Sequence, residues 1–187
     1  QAPADHYIFP SNCLAVGANG VLHLAWNFYK TFPNELAPAH PMAVAHLESP
    51  NGGKTWHHTD GREVRCVPVG LEDVTPVKFK GGGDVLLGNI AILPDHQPAL
   101  VLMDPAPGRI ELAVRGADRR WTLHDISGVL ADLRPGWRLG GWDNAQLAVT
   151  RDGLLIVVIP FAPHAGLPRE QDLVLAWVDP VSGKILR

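Results

Sequence analysis

A chain of 187 residues is about the size of one domain and long enough to bury a core. With 16 Lys and Arg against 19 Asp and Glu, its formal charge of −3 excludes the broad positive field that nucleic acid or an anionic membrane surface would require. Only 19% of residues are charged while Gly (19) and Pro (17) abound, which favours many short strands joined by turns over amphipathic helices. Two cysteines, Cys13 and Cys66, are too few for a disulfide scaffold and match no zinc spacing, so each is expected as a buried free thiol. Gln1–Asp5 has neither the basic nor the apolar run of a signal peptide. The longest apolar run, Leu154–Phe161, has the length and β-branching of a buried strand, not of a bilayer span.

In chain order, a hairpin pattern appears at residues 13–26, where two apolar strands flank Gly17-Ala-Asn-Gly. A long loop, Asn27–Pro41, leads to a third strand at Met42–Glu48, a polar turn, and a fourth strand from Thr55-Trp56. After the long connection Asp60–Leu87 the hairpin recurs at 90–103, with a third strand Arg109–Arg115 and a fourth from Arg120-Trp121. After Asp125–Gly141 it recurs at 147–159, followed by the loop Pro160–Gln171, a third strand Asp172–Val178 and a fourth near Lys184-Ile185. A fold repeating one four-stranded unit about every fifty to sixty residues is expected to be an all-β propeller. The blades fall at about 7–60, 85–125 and 140–187, and together they make residues 1–187 a single partial propeller domain. Since propellers close with about four to eight blades, three would leave apolar terminal faces uncovered. The missing blades are expected from the same precursor or from a second chain.

The turn after the first third strand reads Ser49-Pro-Asn-Gly-Gly-Lys-Thr-Trp56. Its pattern is that of an Asp-box with Asn at the acidic position, formed by Ser49, Asn51, Gly53, Thr55 and Trp56. The Asn51 side chain can accept bonds from backbone N–H groups further along, Gly52 and Gly53 permit positive φ, and Trp56 can pack between blades. Such a box specifies a fold and no reaction.

The turns between strands one and two and between strands three and four are short, so the long loops all open on the opposite face, where binding groups are expected. The candidates there are Asn27, Tyr29, Lys30 and His40 around the first long loop, Asn89 after Gly88, and the segment Trp142, Asp143 and Asn144. Aromatic faces stack on sugar rings and Lys pairs with a carboxylate. His6 and Tyr7, ahead of the first inner strand, are the weak catalytic candidates, and His164 and Arg169 in the last long loop are lesser ones. Elsewhere the plain reading is preferred. His57-His58 alternate to opposite sides of a strand and share no metal, His23 is a strand residue between two leucines, and Arg119-Arg120, Arg62 and Arg65 are solvated turns. Lys80–Asp84 is linker, without the strand–helix context of a phosphate loop.

Leu22-His-Leu-Ala-Trp26, Ala45-His-Leu-Glu-Ser-Pro-Asn-Gly-Gly-Lys-Thr-Trp-His-His-Thr-Asp-Gly61 and Val67-Pro-Val69 resemble the BNR-repeat (Asp-box) propellers, and among them the ulvan-lyase-type and rhamnose–glucuronate polysaccharide lyases. The match covers residues 20–69 and is architectural beyond them. It implies a seven-bladed ring whose groove cleaves beside a uronic acid by β-elimination. Two histidines on one blade act there with a Tyr/Arg pair on the next, the Tyr starting an inner strand and the Arg ending the second strand. Here Asn27 follows Trp26, the inner strand is expected to start near Ser11 rather than Tyr7, and the main catalytic set is expected outside this chain. The leading expectation is therefore the C-terminal part of a polysaccharide lyase acting on a uronic-acid-containing polysaccharide or oligosaccharide. The alternatives are a non-catalytic carbohydrate-binding or structural module and a sialidase-like hydrolase. No cofactor is expected, a structural metal is left open, and the substrate's size places the protein outside the cell or in the periplasm.

Overall fold

The computed structural model describes residues 6–9, 13–30, 40–65, 69–74, 76–79, 85–104, 108–130, 137–139, 145–163 and 172–187, with the backbone alone for 6–9, 30, 40, 72, 78, 79 and 138. Cys66, Lys80–Asp84, Trp142, Asp143, Asn144, His164 and Arg169 lie outside the described residues. The strands are β1 His6–Phe9, β2 Leu14–Val16, β3 Leu22–Lys30, β4 His40–Ser49, β5 His57–His58, β6 Lys78–Phe79 and β7 Leu86–Ile92. They continue with β8 Pro98–Asp104, β9 Arg109–Arg115, β10 Trp121–Asp125, β11 Arg138–Leu139, β12 Gln146–Val149, β13 Leu155–Ala162 and β14 Asp172–Val178. Apart from single 3-10 turns at Leu71–Asp73 and Ser127–Leu130, the described secondary structure is all β.

Three antiparallel sheets follow one another along the chain, each built as inner strand, second strand, third strand and fourth strand. In the second this is β7-β8-β9-β10. In the first, β1 and β2 both pair with β3, at His6↔Lys30 to Phe9↔Asn27 and at Leu14↔Leu24 to Val16↔Leu22, so together they are one interrupted inner strand. The third sheet repeats this device, with β11 and β12 both on β13 and β14 on its other side. Its fourth strand is reduced to a bridge between Val178 and Ile185. Three hairpin turns are superimposable in their bonding: Gly17, Leu93 and Thr150 N–H groups donate to Val21, Gln97 and Leu154 carbonyls at 2.9, 2.9 and 2.8 Å. The left-handed position in these turns is held by Gly20, His96 and Gly153, at φ of 79°, 69° and 88°.

Two expectations are corrected here. The first inner strand begins at His6, not near Ser11, because β3 extends to Lys30 and offers a partner that far. The fourth strand of the first sheet is split: β5 pairs with Leu47–Glu48 and β6 with Ala43–Val44. The sheet therefore runs past residue 60, and the chain between β5 and β6 is an insertion within a blade, not a connection between blades. Val64, Val69, Leu71 and Val74 from that insertion, with Trp56, cover Trp26, Phe28, Ala43 and Leu47 on the outer face of the first sheet. Trp56 thus packs on its own blade.

Alternation along each strand decides the rest. Ala25 and Val44 meet Leu87, Ile90, Leu100, Leu102 and Ala113 between the first and second sheets. Val101, Met103, Ile110 and Leu112 meet Leu147, Leu155, Val157, Ile159 and Phe161 between the second and third. The second sheet lies between the other two and packs against one on each face, so β8 is buried along nearly its whole length.

Candidate functional site

The first blade presents chemistry at both ends. At one end the interrupted inner strand, the end of the second strand and the start of the third come level. His6 is opposite Lys30, and Lys30 is opposite His40, so the three lie abreast across three strands. One position along, Tyr7 is opposite Tyr29, which is opposite Pro41. A register irregularity at Phe28/Tyr29 leaves Met42 as an extra residue on β4 just there. Five of the residues singled out from sequence, His6, Tyr7, Tyr29, Lys30 and His40, are thus brought to one end of the first sheet.

Asn27 and Asn89 are placed differently from the expected sugar contacts. Asn27 is 3% exposed, and its amide bridges two blades. Nδ2 donates to the carbonyls of Val85 (2.7 Å) and Ala43 (3.4 Å), while Oδ1 accepts from Leu87 N–H at 2.7 Å. Asn89 does the same one blade on, donating to Leu147 O at 3.0 Å and accepting from Leu147 N–H at 2.6 Å. A side-chain amide offers one donor edge and one acceptor edge, so it substitutes for a neighbouring strand where the inner strands are interrupted. These are struts between blades. Gly88 beside Asn89 is needed because a Cβ there would fall 2.0 Å from the Ala145 carbonyl oxygen.

At the opposite end lies the box turn. Ser49 Oγ accepts from Gly53 N–H (2.8 Å), and Asn51 Oδ1 accepts from Thr55 N–H (2.9 Å) and from the Ser49 hydroxyl (3.1 Å). Asn51 Nδ2 donates to Thr55 Oγ1 at 3.0 Å, a bond an Asp could not make.

Beside this turn the seam between the first two blades becomes polar, an arrangement that was not foreseen. His23, His46 and Glu48 alternate onto the seam with Ala25 and Val44. His23 Nδ1 lies 3.2 Å from His46 Nε2, and His46 Nδ1 lies 3.3 Å from Thr59 Oγ1, which accepts from Trp121 Nε1 at 3.3 Å. Arg115, 5% exposed, donates to Glu48 Oε2 (2.7 Å) and to Gln97 Oε1 (3.2 Å), while Arg119 approaches Glu48 Oε1 at 3.1 Å. Burial, reinforced by the Arg115 charge and opposed by Glu48, lowers the His23 pKa to about 4. Burial, then Arg115 and His23, pushes His46 the same way. Both imidazoles are therefore neutral at neutral pH. A cleft of ≈ 380 Å³ lined by His23, Glu48, His57, Gln97, Arg115 and Arg119 opens onto this cluster.

His57 and His58 sit on β5, half-buried and buried respectively, and among the described residues no group of three or more His, Cys, Asp or Glu side chains is placed to hold a metal. Cys13 is half-buried and forms no disulfide. No helix among the described residues is long and apolar enough to cross a membrane.

Comparison with family models gives no match, and comparison with curated proteins gives none. Among solved structures the fold resembles an ulvan lyase of polysaccharide lyase family PL25, with a TM-score of 0.68 at 10% identity. It resembles the same lyase bound to -[GlcA(1-4)Rha3S]- with a TM-score of 0.69 at 10% identity. A protein of unknown function from Dyadobacter fermentans is also similar, with a TM-score of 0.57 at 14% identity. The whole of this chain aligns with 43% of the lyase, and 92% of it with 48% of the Dyadobacter protein. These likenesses define an all-β class of stacked four-stranded blades, like part of the lyase fold.

Proposed function

We propose that this chain forms part of a BNR-type propeller groove that acts on a uronic-acid-containing polysaccharide outside the cell, by β-elimination. The observation that carries the reading is the register at the rim of the first blade, where His6, Lys30 and His40 lie abreast and Tyr7 is the next position along. A Tyr at the start of an inner strand and a cation at the end of the second strand is the hairpin arrangement that the sequence resemblance implies, with Lys in place of Arg. Elimination beside a uronate needs a cation to neutralise the carboxylate, a base to take the C5 proton, and an acid to protonate the oxygen released as the C4–O bond breaks. Lys30 suits the first role and Tyr7, with His6 or His40, the proton transfers. Further blades would supply the remainder of the groove, since the chain spans less than half the length of the lyase it resembles.

Digestion of glucuronate-containing polysaccharide by the intact protein, followed through the ultraviolet absorbance of the unsaturated uronate product, tests this directly. Product formation is expected, with Tyr7→Phe lowering the rate by about 10²–10⁴-fold and Lys30→Ala weakening uronate binding as well. Binding without product would support a carbohydrate-binding module instead, and binding to neutral glycans alone would overturn both.

A further inference from the structure

The cleft at the box end of the first blade lies opposite the groove rim and is independent of the lyase reading. Its chemistry follows from the direction of one hydrogen-bond chain. The Trp121 indole N–H can only donate, so Thr59 Oγ1 must accept from it. Thr59 keeps its own hydroxyl hydrogen, which we assign to His46 Nδ1; in that tautomer the neutral His46 carries its proton on Nε2, directed at His23 Nδ1. His23 is left with its proton on Nε2. The two ring nitrogens diverge, so Nε2 turns away from His46. His23 is 1% exposed and lines the cleft, and its Nε2, a buried donor in this tautomer, has no partner among the described residues. A buried donor without an acceptor costs about 1–3 kcal/mol, and such groups call for an explanation.

Around it two guanidinium groups, Arg115 and Arg119, face one carboxylate, Glu48. Glu48 is held through both oxygens, and the arginines outnumber it. The backbone adds a second sign. At Arg119 φ is 66°, and at His96, also on the cleft wall, it is 69°; the matching hairpin position to His96 is glycine in the other two blades. Left-handed backbone at a non-glycine residue is disfavoured and collects where a side chain is wanted.

We propose that this cleft is a binding site for a monoanionic oxyanion, a carboxylate or sulfate ester on a small polar ligand, held by His23 Nε2–H and the Arg119 guanidinium, with Arg115 behind them. The cleft volume accommodates a ligand of sugar size.

The test is an NMR titration of the wild-type protein with glucuronate, with methyl sulfate and with glucose, following the His23 imidazole nitrogens. A shift of Nε2 is expected with at least one anion, the tighter of the two titrations assigning the source as carboxylate or sulfate ester, while glucose leaves it unmoved. Arg119→Gly is the variant of choice, because glycine relieves the positive φ and keeps the fold, and it is expected to weaken the anion at least about tenfold. Lys30→Ala, at the other end of the blade, should leave the titration unchanged, so this site and the groove reading fail separately. Absence of any His23 shift with both anions on the order of 10 mM, a response to glucose equal to that of the anions, or an Arg119→Gly protein that titrates like the wild type would overturn the proposal.

Discussion

His23 shows how one residue takes its meaning from the strands beside it. In sequence it is a histidine between two leucines, and its partners, His46, Arg115 and Glu48, lie 23 or more positions away in the chain. In the fold it is held neutral down to about pH 4, whereas an unfolded imidazole protonates near 6.5. As pH falls through that window the unfolded chain takes up a proton that the folded chain refuses. Stability therefore declines from about pH 6.5 to about pH 4, and this contribution is fully lost below the lower value. The loss is on the order of 3 kcal/mol for His23, and His46, shifted in the same direction by burial and Arg115, adds to it. Urea unfolding across that range should show the slope, and His23→Gln, which has no titrating group, should flatten it. A wild-type midpoint independent of pH over the same range would remove the neutral relay.

At the scale of elements, the interrupted inner strands require specific devices between blades. Asn27 and Asn89 bridge neighbouring blades through side-chain amides, and Gly88 lets the second inner strand approach the third blade. Adding a Cβ at Gly88 would meet the Ala145 carbonyl at 2.0 Å and Val101 Cγ1 at 2.5 Å. Gly88→Ala is expected to destabilise by about 3 kcal/mol, read as a drop in the thermal midpoint, whereas an unchanged midpoint would mean the seam is looser than described. The repeated hairpins and the third strands Arg109–Arg115 and Asp172–Val178 were legible in sequence because the apolar alternation and turn residues recur locally. The split fourth strand of the first blade was not legible. Val64, Val69, Leu71 and Val74 have no strand period, and only their packing on Trp26 and Phe28 shows that the segment folds back. Likewise His6 and Tyr7, expected ahead of the first inner strand, belong to it because β3 reaches Lys30. The rim candidates were found from loop length, whereas the polar cleft was missed because its ion pairs join two blades.

For the whole molecule, the decisive feature is the asymmetry of the two outer faces. The first blade covers its own outer face with Val64, Val69, Leu71 and Val74, while the third presents Leu173 and Leu175, 61% and 49% exposed, alternating with inward residues of β14. Paired strands that alternate apolar residues on both faces are built to be stacked, as the first two seams already are. The blades are thus expected to continue a ring, and in a chain of 187 residues by itself the open face is expected to find another copy. Light scattering on this chain is the most direct test. A mass above the 20.2 kDa of one chain, returning to it when Leu173→Lys and Leu175→Lys are combined, is the predicted result. A wild-type chain that stays folded and monomeric at 20.2 kDa at high concentration would contradict the stacked-blade account.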